Sequence, residues 1–125
     1  MKLLKPFLLV LSIFTALAAP FANAGTPETR ADGVTVIHLD EYNGYFAAEE
    51  TLAGLKPGEY KFVVTNKAKK VVGFLLQDGK THERLDMFPL DPGETIETTV
   101  TISENGFRYR CPINPTPWYD VSVSK

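Results

Sequence analysis

Apolar and polar residues alternate with a period of two through much of the chain. In residues 59–66, EYKFVVTN, the side chains of Tyr60, Phe62 and Val64 fall on one face. Because successive side chains of a strand point to opposite faces, this period predicts β-strands rather than helices. The predicted strands cover residues 34–40, 59–66, 70–78, 94–102, 106–111 and 118–124.

Pro-Gly turns separate the predicted strands at two similar corners, LKPGEY at residues 55–60 and LDPGET at residues 90–95. Proline presets the first central angle of such a turn, and glycine permits a positive angle at the second. Six or seven short strands with such corners in about 100 residues predict an all-β domain, a Greek-key sandwich or small barrel. The one predicted helix is short and covers residues 45–54, YFAAEETLAG.

The first 24 residues have a different pattern. Lys2 and Lys5 precede an apolar run from Phe7 to Ala19, and Ala22-Asn23-Ala24 matches a small-x-small cleavage signal. These features predict a secretory signal peptide over residues 1–24. The alternative, an uncleaved membrane anchor, needs a longer apolar span than this one.

Cleavage after Ala24 leaves residues 25–32 as a short leader and residues 33–125 as one domain. The predicted location is the periplasm, and we expect no direct membrane insertion after cleavage. Removing Lys2 and Lys5 from the 13 basic residues leaves 11 against 15 acidic residues, a formal charge of −4. This balance disfavours nucleic acid and anionic membrane surfaces as partners. One acidic cluster contains Asp40, Glu41, Glu49 and Glu50. It is interpreted as a solvated face, and the alternative is a surface that gathers hard cations weakly.

Cys111 is the only cysteine of the chain, so it cannot form an internal disulfide. It follows Phe107 and Tyr109 at a period of two and therefore shares their face. Two interpretations stay open. Cys111 is either a small buried apolar residue, since free cysteine is among the most buried residue types, or a thiolate ligand of a metal ion.

Three stretches, in this order, carry a family resemblance: residues 55–79, LKPGEYKFVVTNKAKKVVGFLLQDG, residues 89–100, PLDPGETIETTV, and residues 106–112, GFRYRCP. In these stretches the sequence resembles the cupredoxins, and most closely the cupredoxin-like domain of EfeO-type periplasmic iron-uptake proteins. The resemblance implies a cupredoxin-like Greek-key β-sandwich and a role in periplasmic handling of copper or iron.

The resemblance also implies where copper ligands would lie: a His on the strand after Asn66, then a Cys, a His and usually a Met in one loop. Here the first His position falls at about Gly73, and the loop after Cys111, PINPTPWYDV, has no His and no Met. A type 1 blue-copper site needs two imidazoles and a thiolate, so we do not expect one. The remaining expectation is a non-blue site for one copper or iron ion, or no site.

Residues 78–94, DGKTHERLDMFPLDPGE, supply the candidate partners for a Cys111 thiolate. His, Met and Cys together suit a soft cuprous ion, whereas His with Glu or Asp suits a harder ion. The alternative is a solvated loop with no ligand. The candidate metal ligands are Cys111, Met87, His82 and Glu83.

The loop after Cys111 contains three prolines in six residues, so it is stiff before anything binds. Stiffness with aromatic side chains lowers the entropic cost of recognition and suits a protein–protein contact. The alternative is a closing loop in which Trp118 covers the core. The candidate partner-binding residues are Pro112, Asn114, Pro115, Pro117, Trp118 and Tyr119.

We therefore expect a non-catalytic accessory in periplasmic metal handling, with a periplasmic or membrane metal-transport protein as candidate partner. The sequence has no readable Ser-His-Asp or Cys-His arrangement and no phosphate-binding glycine loop, which disfavours an enzyme. The competing hypothesis is a metal-free interaction module that binds a partner through residues 112–120.

Overall fold

The computed structural model of the protein describes residues 25–124, so the predicted signal peptide lies outside the described residues. Within this range the chain forms nine strands and no helix, and none of it is a helix long and apolar enough to cross a membrane. The strands are β1 (Glu28–Thr29), β2 (Thr35–Tyr42), β3 (Tyr45–Ala48), β4 (Gly58–Asn66), β5 (Val72–Asp78), β6 (Arg84–Leu90), β7 (Thr95–Ile102), β8 (Phe107–Arg110) and β9 (Tyr119–Val121).

These strands form two sheets. Sheet I has the order β1-β2-β4-β7, with β3 also paired to β2, and sheet II has the order β6-β5-β8-β9. The pair β2 and β4 is parallel, and the other pairs are antiparallel. The protein is therefore all-β with the two-sheet architecture of a β-sandwich, as the period of two predicted.

A layer of aromatic rings fills the space between the two sheets. Phe62 of sheet I is fully buried against Phe74 and Phe107 of sheet II. The ring centroids of Phe62 and Phe107 lie 5.2 Å apart in an edge-to-face arrangement, and those of Phe62 and Phe74 lie 6.1 Å apart. Burial of one such ring contributes roughly 1.5–3 kcal/mol, and a well-oriented pair adds about 0.5–1.5 kcal/mol. The rings therefore hold the sheets together.

Strand β6 is an element that the sequence pattern did not identify. Its residues Met87, Phe88 and Pro89 interrupt the alternation of apolar and polar side chains. Proline cannot donate a hydrogen bond to a neighbouring strand and is confined to edges, to strand starts and to bulges. Because β6 lies at the edge of sheet II, Pro89 is compatible with a strand there.

The predicted helix over residues 45–54 is wrong. Tyr45 pairs with Tyr42, so β3 folds back on β2 as a hairpin. The two residues between them, Asn43 and Gly44, have φ angles of 54° and 103°. Asn-Gly is the preferred sequence for the two-residue hairpin turn that needs positive φ at both positions. This local turn signal prevails over the weak helical pattern that follows it.

Asn66, at the end of β4, connects sheet I to sheet II through its buried amide. Its Nδ2 donates hydrogen bonds to the carbonyl oxygens of Lys70 (2.8 Å) and Leu90 (3.1 Å). Its Oδ1 accepts the N–H of Ala68 at 2.7 Å. The side chain of Asn66 is only 1% exposed. If its amide were removed, water could not reach the backbone groups that it now bonds, and they would stay without partners.

We expect Asn66→Ala to lower the free energy of unfolding by about 2–4 kcal/mol, because it leaves several buried polar groups without partners. Urea unfolding followed by circular dichroism measures the loss. Thr95→Ala is the matched control, since it removes only the exposed hydroxyl bond to Thr65 and should cost less than about 1 kcal/mol. Equal losses in the two variants would contradict the structural role of Asn66.

Candidate functional site around Cys111

Cys111 follows β8 directly and points into the core at one end of the sandwich. Its side chain is 0% exposed, like that of Phe107 on the same face. Two backbone N–H groups donate to its sulfur, from Gly73 at 3.4 Å and from Asn114 at 3.3 Å. The predicted shared face is confirmed, and two peptide dipoles converge on the thiol.

Glu41 lies beside this thiol, whereas the sequence analysis named it only as one member of an acidic cluster. It ends the inward-facing row Ile37, Leu39, Glu41 of β2, and all three side chains are 0% exposed. The interpretation of Glu41 as part of a solvated acidic face is therefore wrong. Its period of two with Ile37 and Leu39 was the signal that could have identified it as buried.

The carboxyl group of Glu41 is electrostatically unusual. Neither oxygen has a hydrogen bond of ordinary distance and angle, and the polar group that acts on the carboxyl is the Cys111 thiol beside it. Burial raises the pKa of Glu41 from 4.5 to about 7, and the adjacent Cys111 thiol lowers this pKa without outweighing the burial. A buried polar group without partners costs free energy, so the two carboxyl oxygens of Glu41 are free to accept a hydrogen bond or to bind an ion.

The residues around Cys111 do not fit a type 1 copper centre. The first His position of the resemblance is taken by Gly73, whose N–H contacts the sulfur. A Cβ atom on Gly73 would lie 3.0 Å from Cδ of Pro112, so a larger side chain would have to displace the loop. The donor set at this place is one thiol and one carboxyl group, without the two imidazoles that type 1 copper requires.

The structure does not bring His82 and Glu83 to Cys111. Cys111 lies beside Gly73 at the start of β5, whereas the N–H of His82 donates to the carbonyl oxygen of Asp78 at its end. Gly73 and Asp78 are five residue steps apart along β5, roughly 16 Å at about 3.3 Å per residue. His82 and Glu83 are thus at the opposite end of the sheet and cannot share one coordination sphere with Cys111 in this arrangement.

Met87 lies nearer to Cys111 but on the other side of sheet II. It pairs with Leu75, which pairs in turn with Arg110, so these three residues form a row on the outer face. Cys111, the next residue after Arg110, is on the inner face. Met87 is 44% exposed and lines a shallow apolar groove together with Gly73, Phe88, Pro89, Pro112 and Ile113.

The loop after Cys111 is tied to the hairpin turn of β2 and β3. The Nδ2 of Asn114 donates to the carbonyl oxygen of Asn43 at 2.8 Å, and the hydroxyl of Thr116 donates to the carbonyl oxygen of Gly44 at 2.7 Å. A Cβ atom on Gly44 would lie 2.8 Å from the Asn114 carbonyl oxygen, so this close approach requires glycine. The side chain of Asn114 therefore holds the loop against the hairpin turn and is already engaged in an internal hydrogen bond.

The other candidate partner-binding residues lie in different environments. Pro115 and Pro117 are exposed, and Pro112 packs against Gly73. Tyr119 stacks on Tyr109 with centroids 5.1 Å apart, and its hydroxyl accepts the N–H of Phe46 at 3.0 Å. Tyr119 is thus engaged in internal packing.

Trp118 lies at the outer surface of sheet II, where its ring contacts two guanidinium groups. The Cζ atoms of Arg108 and Arg110 are 3.8 Å and 4.3 Å from the centroid of its ring. This contact was not predicted, although the alternation of Arg108 and Arg110 with Phe107 and Tyr109 already placed both arginines on the outer face.

Comparison with models of known protein families and with curated protein sequences gives no match. Among residues 25–124, no three His, Cys, Asp or Glu side chains are grouped as a metal site. The distinctive chemistry of the described chain is thus the pair formed by Cys111 and Glu41.

We expect the metal-free protein to lose stability as the pH rises from about 4.5 to about 7. Because the folded-state pKa of Glu41 lies above its ordinary value, the folded protein binds more protons than the unfolded chain in this window. A pKa difference of this size corresponds to at most about 3–4 kcal/mol of stability. Urea unfolding at a series of pH values in the presence of EDTA measures the slope.

Glu41→Gln should flatten this pH dependence, since the amide has a similar shape and does not ionise. Glu49→Gln, which changes an exposed carboxyl group eight residues away, should leave the slope unchanged. If the wild-type protein and Glu41→Gln have the same slope between pH 4.5 and 7, Glu41 does not titrate as a buried carboxyl group.

Proposed function

We propose that this protein is an exported, non-catalytic cupredoxin-like protein that serves as an accessory in periplasmic copper or iron handling and holds one ion at Cys111 and Glu41. The observation that carries the proposal is the buried thiol beside a buried carboxyl group with no hydrogen-bond partner. The Greek-key topology and the periplasmic location are parts of this proposal.

The positions of the family-like residues support the cupredoxin-like assignment. Asn66 ends β4, Gly73 opens β5 and Cys111 follows β8, and all three lie at the same end of the sandwich. Gly73, the position at which the resemblance expects a copper-binding His, is in contact with the Cys111 sulfur. A two-sheet, all-β fold with this arrangement agrees with the resemblance drawn from residues 55–112.

The donor chemistry supports an ion rather than a substrate. A thiolate is a soft ligand and a carboxylate a hard one, so the pair suits an ion of intermediate character more than alkali or alkaline-earth cations. An ion at this place would give both Glu41 oxygens a partner and would compensate two negative charges in the core. Bound there, it would be stored or transferred, and a periplasmic or membrane metal-transport protein is the proposed partner.

We expect the reduced protein, residues 25–125, to bind one equivalent of Cu(I), Cu(II) or Fe(II), without the intense thiolate-to-copper absorption of blue-copper proteins. Cys111→Ser should abolish stoichiometric binding, and Glu41→Gln should weaken it at least about tenfold, since each removes one ligand. Isothermal titration with each ion, together with metal analysis after gel filtration, measures stoichiometry and affinity.

His82→Ala is the matched control, because His82 lies at the far end of sheet II and its loss should leave the affinity unchanged. Wild-type binding that persists in Cys111→Ser would show that the thiol is not a ligand. Loss of binding in His82→Ala alone would assign the ion to the opposite end of the sandwich.

The second candidate function is a metal-free interaction module, and one observation favours it. Of the large hydrophobic side chains exposed in the described residues, four lie at the end of the sandwich that contains Cys111, and Met87 lies on the adjoining outer face of sheet II, in one groove with Ile113. These are Tyr42, Tyr45, Val71, Met87 and Ile113, and we call them the apolar end. Lys67, Lys69 and Lys70 border it and are also exposed, so a protein surface that is apolar at its centre and acidic at its rim would be complementary.

This candidate predicts a discrete cross-linked product when a photoreactive amino acid replaces Ile113 in bacterial cells that export the full chain. Asp32, in a turn at the opposite end of β2, is an equally exposed control position and should give none. The partner in the product is identified by mass spectrometry. Identical products from both positions, or none from Ile113, would remove the apolar end as a partner surface.

A further inference from the structure

Three of the chain's four arginines lie on the outer face of sheet II. Arg108 and Arg110 of β8 stack on the ring of Trp118, and Arg84 of β6 pairs with Gln77, which pairs in turn with Arg108. The Nε of Arg108 donates to Oε1 of Gln77 at 2.9 Å. These contacts fix the guanidinium of Arg108 and draw that of Arg110 to the same ring.

Arg108 and Arg110 form no ion pair within the described residues. The ion pairs of the described residues involve Arg30, His38 and Lys61. Asp120 is the cross-strand neighbour of Arg108, yet it forms no ion pair with it. Moreover, the Nε–H of Arg110 is buried without an acceptor. A donor of a charged group that is shielded from water and unsatisfied is costly, so the guanidinium of Arg110 lacks part of its hydrogen-bond partners within the described residues.

We propose that the outer face of sheet II is a carboxylate-binding site formed by Arg108, Arg110 and Trp118. Both guanidinium carbons lie within 4.3 Å of one ring centroid, so the two positive charges are held around one indole on this face. A guanidinium presents parallel N–H donors that match the two oxygens of a carboxylate, and stacking on an indole restricts its orientation. The site is on the opposite side of sheet II from Cys111 and does not depend on the metal proposal.

The carboxylate has two candidate sources, a small free polycarboxylate or the acidic side chains of a partner protein. The chain contains one tryptophan, so Trp118 reports on the site directly by its fluorescence. Titration with citrate and, separately, with a hexaglutamate peptide, each at constant ionic strength, distinguishes the sources. Saturable quenching by citrate assigns a small ligand, and saturable quenching by the peptide alone assigns a partner segment.

We expect Arg110→Gln to weaken the binding of whichever probe is active at least about tenfold, because it removes a charged hydrogen-bond donor. Arg110→Lys keeps the positive charge but lacks the parallel N–H donors of the guanidinium group, so its affinity should stay below that of the wild-type protein. Arg30→Gln, at an arginine already paired with Asp32, is the matched control and should change the affinity less than about twofold.

Circular dichroism of each variant establishes that it is folded before titration. The proposal is overturned if neither probe changes the Trp118 fluorescence beyond the effect of chloride at the same ionic strength. It is also overturned if Arg30→Gln weakens binding as much as Arg110→Gln, since the effect would then reflect net charge rather than this face.

Discussion

The contact between the aromatic inner faces of the two sheets is the interaction on which the rest of the structure depends. Phe46 of sheet I meets Tyr109 of sheet II edge to face, with ring centroids 5.1 Å apart, next to the site of Cys111. Because these rings set how the sheets lie on each other, they also determine which strand ends meet. Cys111, Gly73 and Glu41 are far apart in sequence and come together because their strands end at the same place.

The same contact imposes a conflict on Glu41. The inward row of β2 begins with two aliphatic side chains and ends with a carboxyl group, so the rule that core positions are apolar fails at one position. Such failures are expected where a protein gives up some stability for function, and the unsatisfied oxygens of Glu41 face the one cysteine of the chain. On the outer face of sheet II, the orphaned donor of Arg110 is a second failure of the same kind.

Much of the fold could be predicted from the sequence because a period of two is a local property. The inward face of β4, with Tyr60, Phe62 and Val64, follows from that period alone and is buried as predicted. The strand β6 could not be predicted in this way, because Met87, Phe88 and Pro89 break the alternation. The helix over residues 45–54 was predicted without regard to the Asn43-Gly44 turn that precedes it.

The site was less predictable than the fold for a related reason. Cys111 was found because it is a rare residue at the end of a strand, but the partner of a thiol depends on which strands become neighbours. Proximity in sequence favoured His82 and Met87, whereas the sheet separates His82 from Cys111 by the length of β5 and Met87 by its thickness. Glu41 lies 70 residues before Cys111, and its role follows only from the pairing of the sheets.

The burial of Cys111 has a consequence for the chain before it is folded. The residues that enclose the thiol come from β2, from β5 and from the loop tied to the Asn43-Gly44 turn, so the enclosure is complete only after contacts across most of the sequence have formed. Until then the sulfur is open to oxidants and to disulfide exchange with other molecules. Folding therefore acts as the protecting step for this cysteine, and the time for which the thiol can react is set by how fast the two sheets close.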